Sequence, residues 1–174
     1  MICRKVFCCK RNLRFAVEHM PRISHVGIVV KDMQKALDFY ADVFGCRDYR
    51  IKRVERPGYK ANVAFIPVGD MQIELIQPIE GPWVRRLQRK GEGFTELCFE
   101  VENMEEFYDK MKARRVTLVD EDELPMTNRK FDRSKEGIRF AYLPTEAAFG
   151  SWIEVMEPYS VDTIGKPGQK EKQS

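Results

Sequence analysis

The chain has 174 residues, 43% of them apolar, and a formal net charge of +3, enough hydrophobic material for one ordinary domain and the wrong composition for a disordered chain. The charge is uneven: residues 1–20 carry +4 and the rest of the chain −1, so the body offers no electrostatic footprint for nucleic acid. No apolar run approaches the roughly 20 residues that cross a bilayer, and the cysteines at 3, 8, 9, 46 and 98 form no disulfide framework, which fits a reducing compartment.

The first segment, 1–20, reads as a basic leader without structure of its own. Arg4, Lys5, Lys10, Arg11 and Arg14 interrupt any apolar signal core. It reads as an upstream extension, with Met20 as the real or alternative start, and the body is expected in the cytoplasm. As a transit peptide the leader would instead direct the chain to the mitochondrial matrix. From 21 to 160 the pattern is that of a structured domain. Residues 22–30 read as a strand and Asp32 as a helix N-cap. Residues 33–44 read as an amphipathic helix ending at Gly45, with Leu37, Tyr40 and Phe44 on one face. Strands are expected at 47–55, 61–68 and 71–77, then a short connecting helix at 82–90. The order then repeats: a strand at 94–101, Asn103 as N-cap, a helix at 104–115, and strands near 116–121, 138–143 and 151–157. The polar stretch TNRKFDRSKEG, 127–137, reads as a surface loop, and 161–174 as a polar tail.

This repetition is visible in the residues themselves. HVGIVVKDMQKAL from His25 and ELCFEVENMEEFY from Glu96 agree in pattern at an offset of 71, and MQIELIQP and SWIEVMEP share I-E-(L/V)-x-x-P at an offset of 80. Each copy, about 22–80 and 91–158, is therefore βαβββ, and one copy of about 60 residues would bury too little surface to stand alone. The predicted class is α+β, two βαβββ modules forming a cupped mixed sheet.

At equivalent positions of the copies His25 matches Glu96, and Glu74 matches Glu154. Their strand neighbours are apolar, so alternation sets the four polar groups on the other face. Three carboxylates and an imidazole converging in one cup would repel unless a divalent cation joined them. An oxygen-rich set of this kind suits Mn²⁺, Mg²⁺, Fe²⁺ or Co²⁺, with Zn²⁺ also open.

With ISHVGIVVKDMQKALDFYADVFG, MQIELIQP, KGEGFTELCFEV and SWIEVMEP in hand, the chain resembles the vicinal oxygen chelate superfamily over about 22–159, in spacing closest to its methylmalonyl-CoA epimerase and glyoxalase I branch. The resemblance implies paired βαβββ modules around a divalent metal. His25, Glu74 and Glu154 stand at the family's first, second and fourth ligand positions. Glu96 stands at the third, where the family has histidine. It further implies a carboxylate near Asn62 as one of two opposed bases; none stands there, and Glu55 is the nearest candidate.

The expected chemistry is metal-assisted proton abstraction next to the thioester carbonyl of an acyl-CoA such as methylmalonyl-CoA, with Glu154 and Glu55 as the groups that move the proton. Arg85, Arg86, Arg89 and Lys90 could meet CoA phosphates, against the plainer reading of a solvated helix face. A glyoxalase I-like lyase and a non-enzymatic ligand-sequestering protein of the antibiotic-resistance type are the rivals. A ferrous dioxygenase is disfavoured, because only His19 and His25 exist in the chain. Partners are expected to be a small-molecule substrate and, as for many relatives, a second copy of the chain, with neither nucleic acid nor membrane.

Overall fold

The computed structural model describes residues 21–127, 132–133 and 138–158; the expected leader and tail, 1–20 and 161–174, lie outside the described residues. Its first module runs β1 (Arg22–Val29), α1 (Met33–Phe44), β2 (Arg50–Arg56), β3 (Tyr59–Val68) and β4 (Met71–Glu80). A connecting helix, α2 (Pro82–Lys90), leads to the second: β5 (Gly93–Glu100), α3 (Met104–Ala113), β6 (Asp132–Arg133), β7 (Arg139–Leu143) and β8 (Trp152–Glu157). No helix among the described residues is long and apolar enough to cross a membrane.

The helix ends follow from local chemistry. The Asp32 carboxylate accepts the backbone N–H of Lys35 at 3.1 Å, and Asn103 Oδ1 accepts those of Glu105 and Glu106 at 2.9 and 3.2 Å. Each satisfies amide donors that a helix leaves orphaned at its start. Gly45 closes α1 in the left-handed region, φ 72°, its N–H returning to the Ala41 carbonyl.

The eight strands form one mixed sheet in the order β2-β3-β4-β1-β5-β8-β7-β6. β1 pairs with β4 and β5 with β8 in parallel, while β1 and β5 join the two modules antiparallel. Across that joint Val26 faces Leu97, with Gly27 opposite Glu96 and His25 opposite Cys98. The sequence offset of 71 exchanges the members of these pairs, so a pseudo-twofold axis passes through Val26 and Leu97. Even the irregularities obey it. The register skips Ser24 on β1 and Thr95 on β5, two hydroxyl residues 71 apart. Each is a bulge beside a candidate ligand, where a bulge re-aims a side chain.

Alternation then divides the sheet. On the outer face α1 covers Ala64, Ile66 and Leu75 through Met33 and Leu37, and α3 covers Leu118, Ala141 and Val155 through Met104 and Tyr108. The inner face holds Val29, Tyr59, Ala61, Val63, Ile76 and Trp83 in one module and Val119, Phe140 and Tyr142 in the other. Trp152 packs against both inner clusters, its ring 5.2 Å from Trp83 and 5.3 Å from Tyr142.

Two expectations need correction. Residues 116–121 are not a strand: Val119 alone bridges, to Pro125 and Tyr142. The Asp120 carboxylate accepts the N–H groups of Asp122 and Leu124, both at 2.9 Å, and this local capture pulls the chain into a turn. The outermost strand of the second module is instead the two-residue β6, inside the segment expected to be wholly loop.

Candidate metal centre

His25 of β1, Glu74 of β4, Glu96 of β5 and Glu154 of β8 reach the cup from four adjacent strands, and the parallel pairings explain why. Gly27 stands opposite Glu74, and Cys98 opposite Glu154, so each glutamate lies one strand away from the residue two places beyond His25 or Glu96. His25 Nε2 is 3.0 Å from Glu74 Oε2 and 3.1 Å from Glu154 Oε2. One donor atom each from His25, Glu74 and Glu96 lie within 4.8 Å of one another. All four sequence-derived candidates are therefore brought together.

Room for Glu96 comes from a missing side chain. A Cβ on Gly27 would lie 2.6 Å from Glu96 Cγ, 2.7 Å from its Oε1 and 2.8 Å from Thr95 Oγ1. The Glu96 side chain thus occupies the space that any other residue at 27 would fill. Glu96 is 2% exposed.

The electrostatics are those of a site short of positive charge. Burial pushes the Glu96 carboxyl well above the usual carboxylate range, and the charges of Glu154 and Glu74 push it further, with His25 opposing. Burial pulls the His25 imidazole down, but Glu74, with hydrogen bonds to Cys98, Glu154 and Glu74, carries it well above its ordinary value. Burial and the carboxylate charges likewise raise the Tyr142 hydroxyl and the Cys98 thiol. Two carboxylates within 4.8 Å of one another, as Glu74 and Glu96 are, repel by at least about 3 kcal/mol at an effective dielectric of about 20. Among the described residues the buried side-chain polar atoms with no hydrogen-bond partner are Glu96 Oε2 and its neighbour Thr95 Oγ1. A convergent imidazole and three carboxylates, one with an orphaned buried oxygen, are a donor set that fits a divalent cation.

The centre opens into a cavity of about 350 Å³. Arg50, Lys52, Val54 and Arg56, alternate residues of the edge strand β2, line it together with Tyr59, Phe65, Trp83, Phe140 and Tyr142. The Arg56 guanidinium lies 4.5 Å from the Tyr59 ring centre and 5.1 Å from that of Phe140, and pairs with Glu121. Glu55 lines the cavity too, but it is half exposed, accepts from Arg53 at 3.0 Å, and belongs to neither group of converging donors.

Sequence reasoning passed over Arg50, Lys52, Arg56, Glu121 and Cys98. For β2 the signal was present as a basic residue at every inward position but one. For Glu121 there was none, since its loop is placed by the Asp120 turn. Three of the four α2 cations have partners of their own: Arg85 pairs with Asp122, Arg86 donates to the carbonyls of Gly91 and Phe94, and Arg89 donates to the Arg85 carbonyl.

Comparison with known proteins agrees with this architecture. The chain is 29% identical over 142 residues to the uncharacterized protein YqjC of Bacillus subtilis (strain 168), covering 80% of this chain and 94% of that one. It is 31% identical over 98 residues to the mitochondrial methylmalonyl-CoA epimerase of Mus musculus, 55% of this chain and 54% of the relative. In fold it matches a Streptomyces coelicolor methylmalonyl-CoA epimerase variant in complex with 2-nitronate-propionyl-CoA, with TM-score 0.66 and 18% identity over 82% of this chain and 100% of that one. The family model that describes the glyoxalase/bleomycin resistance protein/dioxygenase superfamily matches residues 24–142. With most of the chain inside that match, from Ser24 of β1 across the β1–β5 joint to Tyr142 of β7 and short of β8, the chain belongs to the glyoxalase/bleomycin resistance protein/dioxygenase superfamily.

Proposed function

We propose that the chain is a divalent-metal-dependent isomerase or lyase that abstracts a proton next to the thioester carbonyl of an acyl-CoA, as a methylmalonyl-CoA epimerase does. The observation that carries the reading is the convergence of His25, Glu74, Glu96 and Glu154 at the floor of a cavity whose β2 wall is basic. These four residues would hold the ion. When bound, it supplies Lewis acidity to a substrate carbonyl and stabilises the negative charge that develops as the proton leaves.

The protein's own groups do the rest. Arg50 and Lys52 meet the anionic groups of the substrate. The Trp83–Trp152–Tyr142 stack excludes water from one side, which strengthens every charge interaction in the cup. Glu154, buried beside His25, and Glu55, at the cavity wall, are the groups proposed to take up and return the proton. Similarity to the mouse epimerase supports the substrate class. Glu74, at the position where the resemblance gives glyoxalases glutamate and epimerases glutamine, favours a lyase acting on a glutathione hemithioacetal as the second reading.

The test is deuterium entry at C2 of methylmalonyl-CoA in D₂O, with Mn²⁺ or Co²⁺ added to chelator-treated protein. Exchange is expected. No exchange at high protein concentration overturns the epimerase reading, and turnover of the hemithioacetal in the same preparation selects the lyase. A protein purified without chelator that carries no metal and gains none belongs with the ligand-sequestering members instead.

A further inference from the structure

Two rows of residues cross the floor of the cup at right angles to the strands. In one, Glu154 stands opposite Cys98 and Cys98 opposite His25. In the other, Glu96 stands opposite Gly27 and Gly27 opposite Glu74. The pseudo-twofold axis exchanges Gly27 with Cys98, so each module offers three positions to the centre. The first module fills two, with His25 and Glu74. The second fills all three, with Glu96, Glu154 and Cys98.

Cys98 is completely buried. Its Sγ, a His25 ring nitrogen and a Glu154 carboxylate oxygen lie within 4.8 Å of one another. The same limit holds for His25, Glu74 and Glu96, so the imidazole belongs to both triads. Beside them Glu96 Oε2 is fully buried with no hydrogen-bond partner, an independent sign that the floor of the cup is built for a cation.

We propose that Cys98 is a fifth donor of the metal centre, and that its sulfur makes the centre select a thiophilic divalent ion, Zn²⁺ or Co²⁺, over Mn²⁺ and Mg²⁺. The inference rests on the metal-dependent reading above and changes its terms. Three carboxylates and one imidazole suit hard ions; one soft sulfur in the set reverses that preference. Ligation forms a sulfur–metal bond and breaks the S–H bond, the thiol proton passing to solvent, with no change of oxidation state.

The chain has four other cysteines, Cys3, Cys8, Cys9 and Cys46, and the experiment removes them. Co²⁺ is titrated into the full-length chain carrying all four as serine, and absorption is followed from the near ultraviolet to the visible. The expected result is a sulfur-to-cobalt charge-transfer band that vanishes when Cys98→Ser is added, while the visible cobalt bands persist. In the native background Cys98→Ser should lower Zn²⁺ affinity by roughly 10–100-fold and leave Mn²⁺ affinity unchanged, both read by competition with a metal indicator. Visible cobalt bands without the charge-transfer band overturn the fifth donor and leave the metal-dependent reading standing. No cobalt spectrum at all overturns both. If the added serine prevents folding, the four-serine chain alone decides, since Cys98 is then its sole thiol.

Discussion

Replacing Gly27 by alanine puts a methyl group where the Glu96 side chain lies. The new carbon would be 2.6 Å from Glu96 Cγ, 2.7 Å from its Oε1 and 2.8 Å from Thr95 Oγ1, all well inside contact distance. Overpacking of this kind costs about 1–3 kcal/mol, and alanine recovers about 0.5–1 kcal/mol by stiffening a strand position that glycine leaves loose. The net loss is at most about 2.5 kcal/mol, or up to about 10 °C in Tm for a chain of this size. The assay is thermal and urea unfolding of chelator-treated protein, wild type and Gly27→Ala, each with and without Glu96→Ala. The coupling between the two sites should account for most of the loss, because Glu96 supplies two of the three clashes. Zn²⁺ affinity of Gly27→Ala should fall at least about tenfold as the carboxylate is driven off the centre. An alanine variant with wild-type Tm and wild-type metal affinity would refute the argument that an absent side chain positions Glu96.

Other expectations follow from the same geometry. Zn²⁺ or Co²⁺ at 100 times its Kd should stabilise the chelator-treated protein by about 2.7 kcal/mol, a Tm rise of about 5–11 °C; no shift in calorimetry at saturating ion would contradict the donor convergence. Arg50→Ala and Lys52→Ala should each raise KM for the acyl-CoA substrate with kcat nearly unchanged, since they hold parts of the substrate away from the reacting carbon; a fall in kcat at constant KM would place them at the reacting atoms instead. Asp32→Ala should cost about 0.5–2 kcal/mol by removing the α1 cap, seen in urea unfolding, and should leave metal affinity untouched, because α1 packs on the outer face.

How much of this was legible in the sequence depends on the range of the interaction. The repeat fixed both offsets, and these map His25 onto Glu96 and Glu74 onto Glu154, the same equivalence that the strand register obeys. The caps at Asp32 and Asn103 were readable because they act over three residues. The segment 116–121 misled because its apolar pattern suits a strand while Asp120 captures the backbone two and four residues on. Cys98 was passed over as an isolated cysteine, although it lies two residues beyond Glu96 and so on the same face; only the pairing with His25 and Glu154 gives that spacing meaning. Arg56 and Glu121 lie 65 positions apart in sequence, and their pairing depends on how the two modules close.

The joint through Val26 and Leu97 has a kinetic side. His25 and Glu74 belong to one module, Glu96 and Glu154 to the other, and β1–β5 is the ladder that joins the two halves of the sheet. An ion gripped from both sides acts as a clasp across that seam. Parting β1 from β5 then requires breaking ligand bonds as well as hydrogen bonds, so amide hydrogens along this ladder should exchange far more slowly in the loaded protein than in the stripped one, while those of the distant β2–β3 hairpin keep their rates.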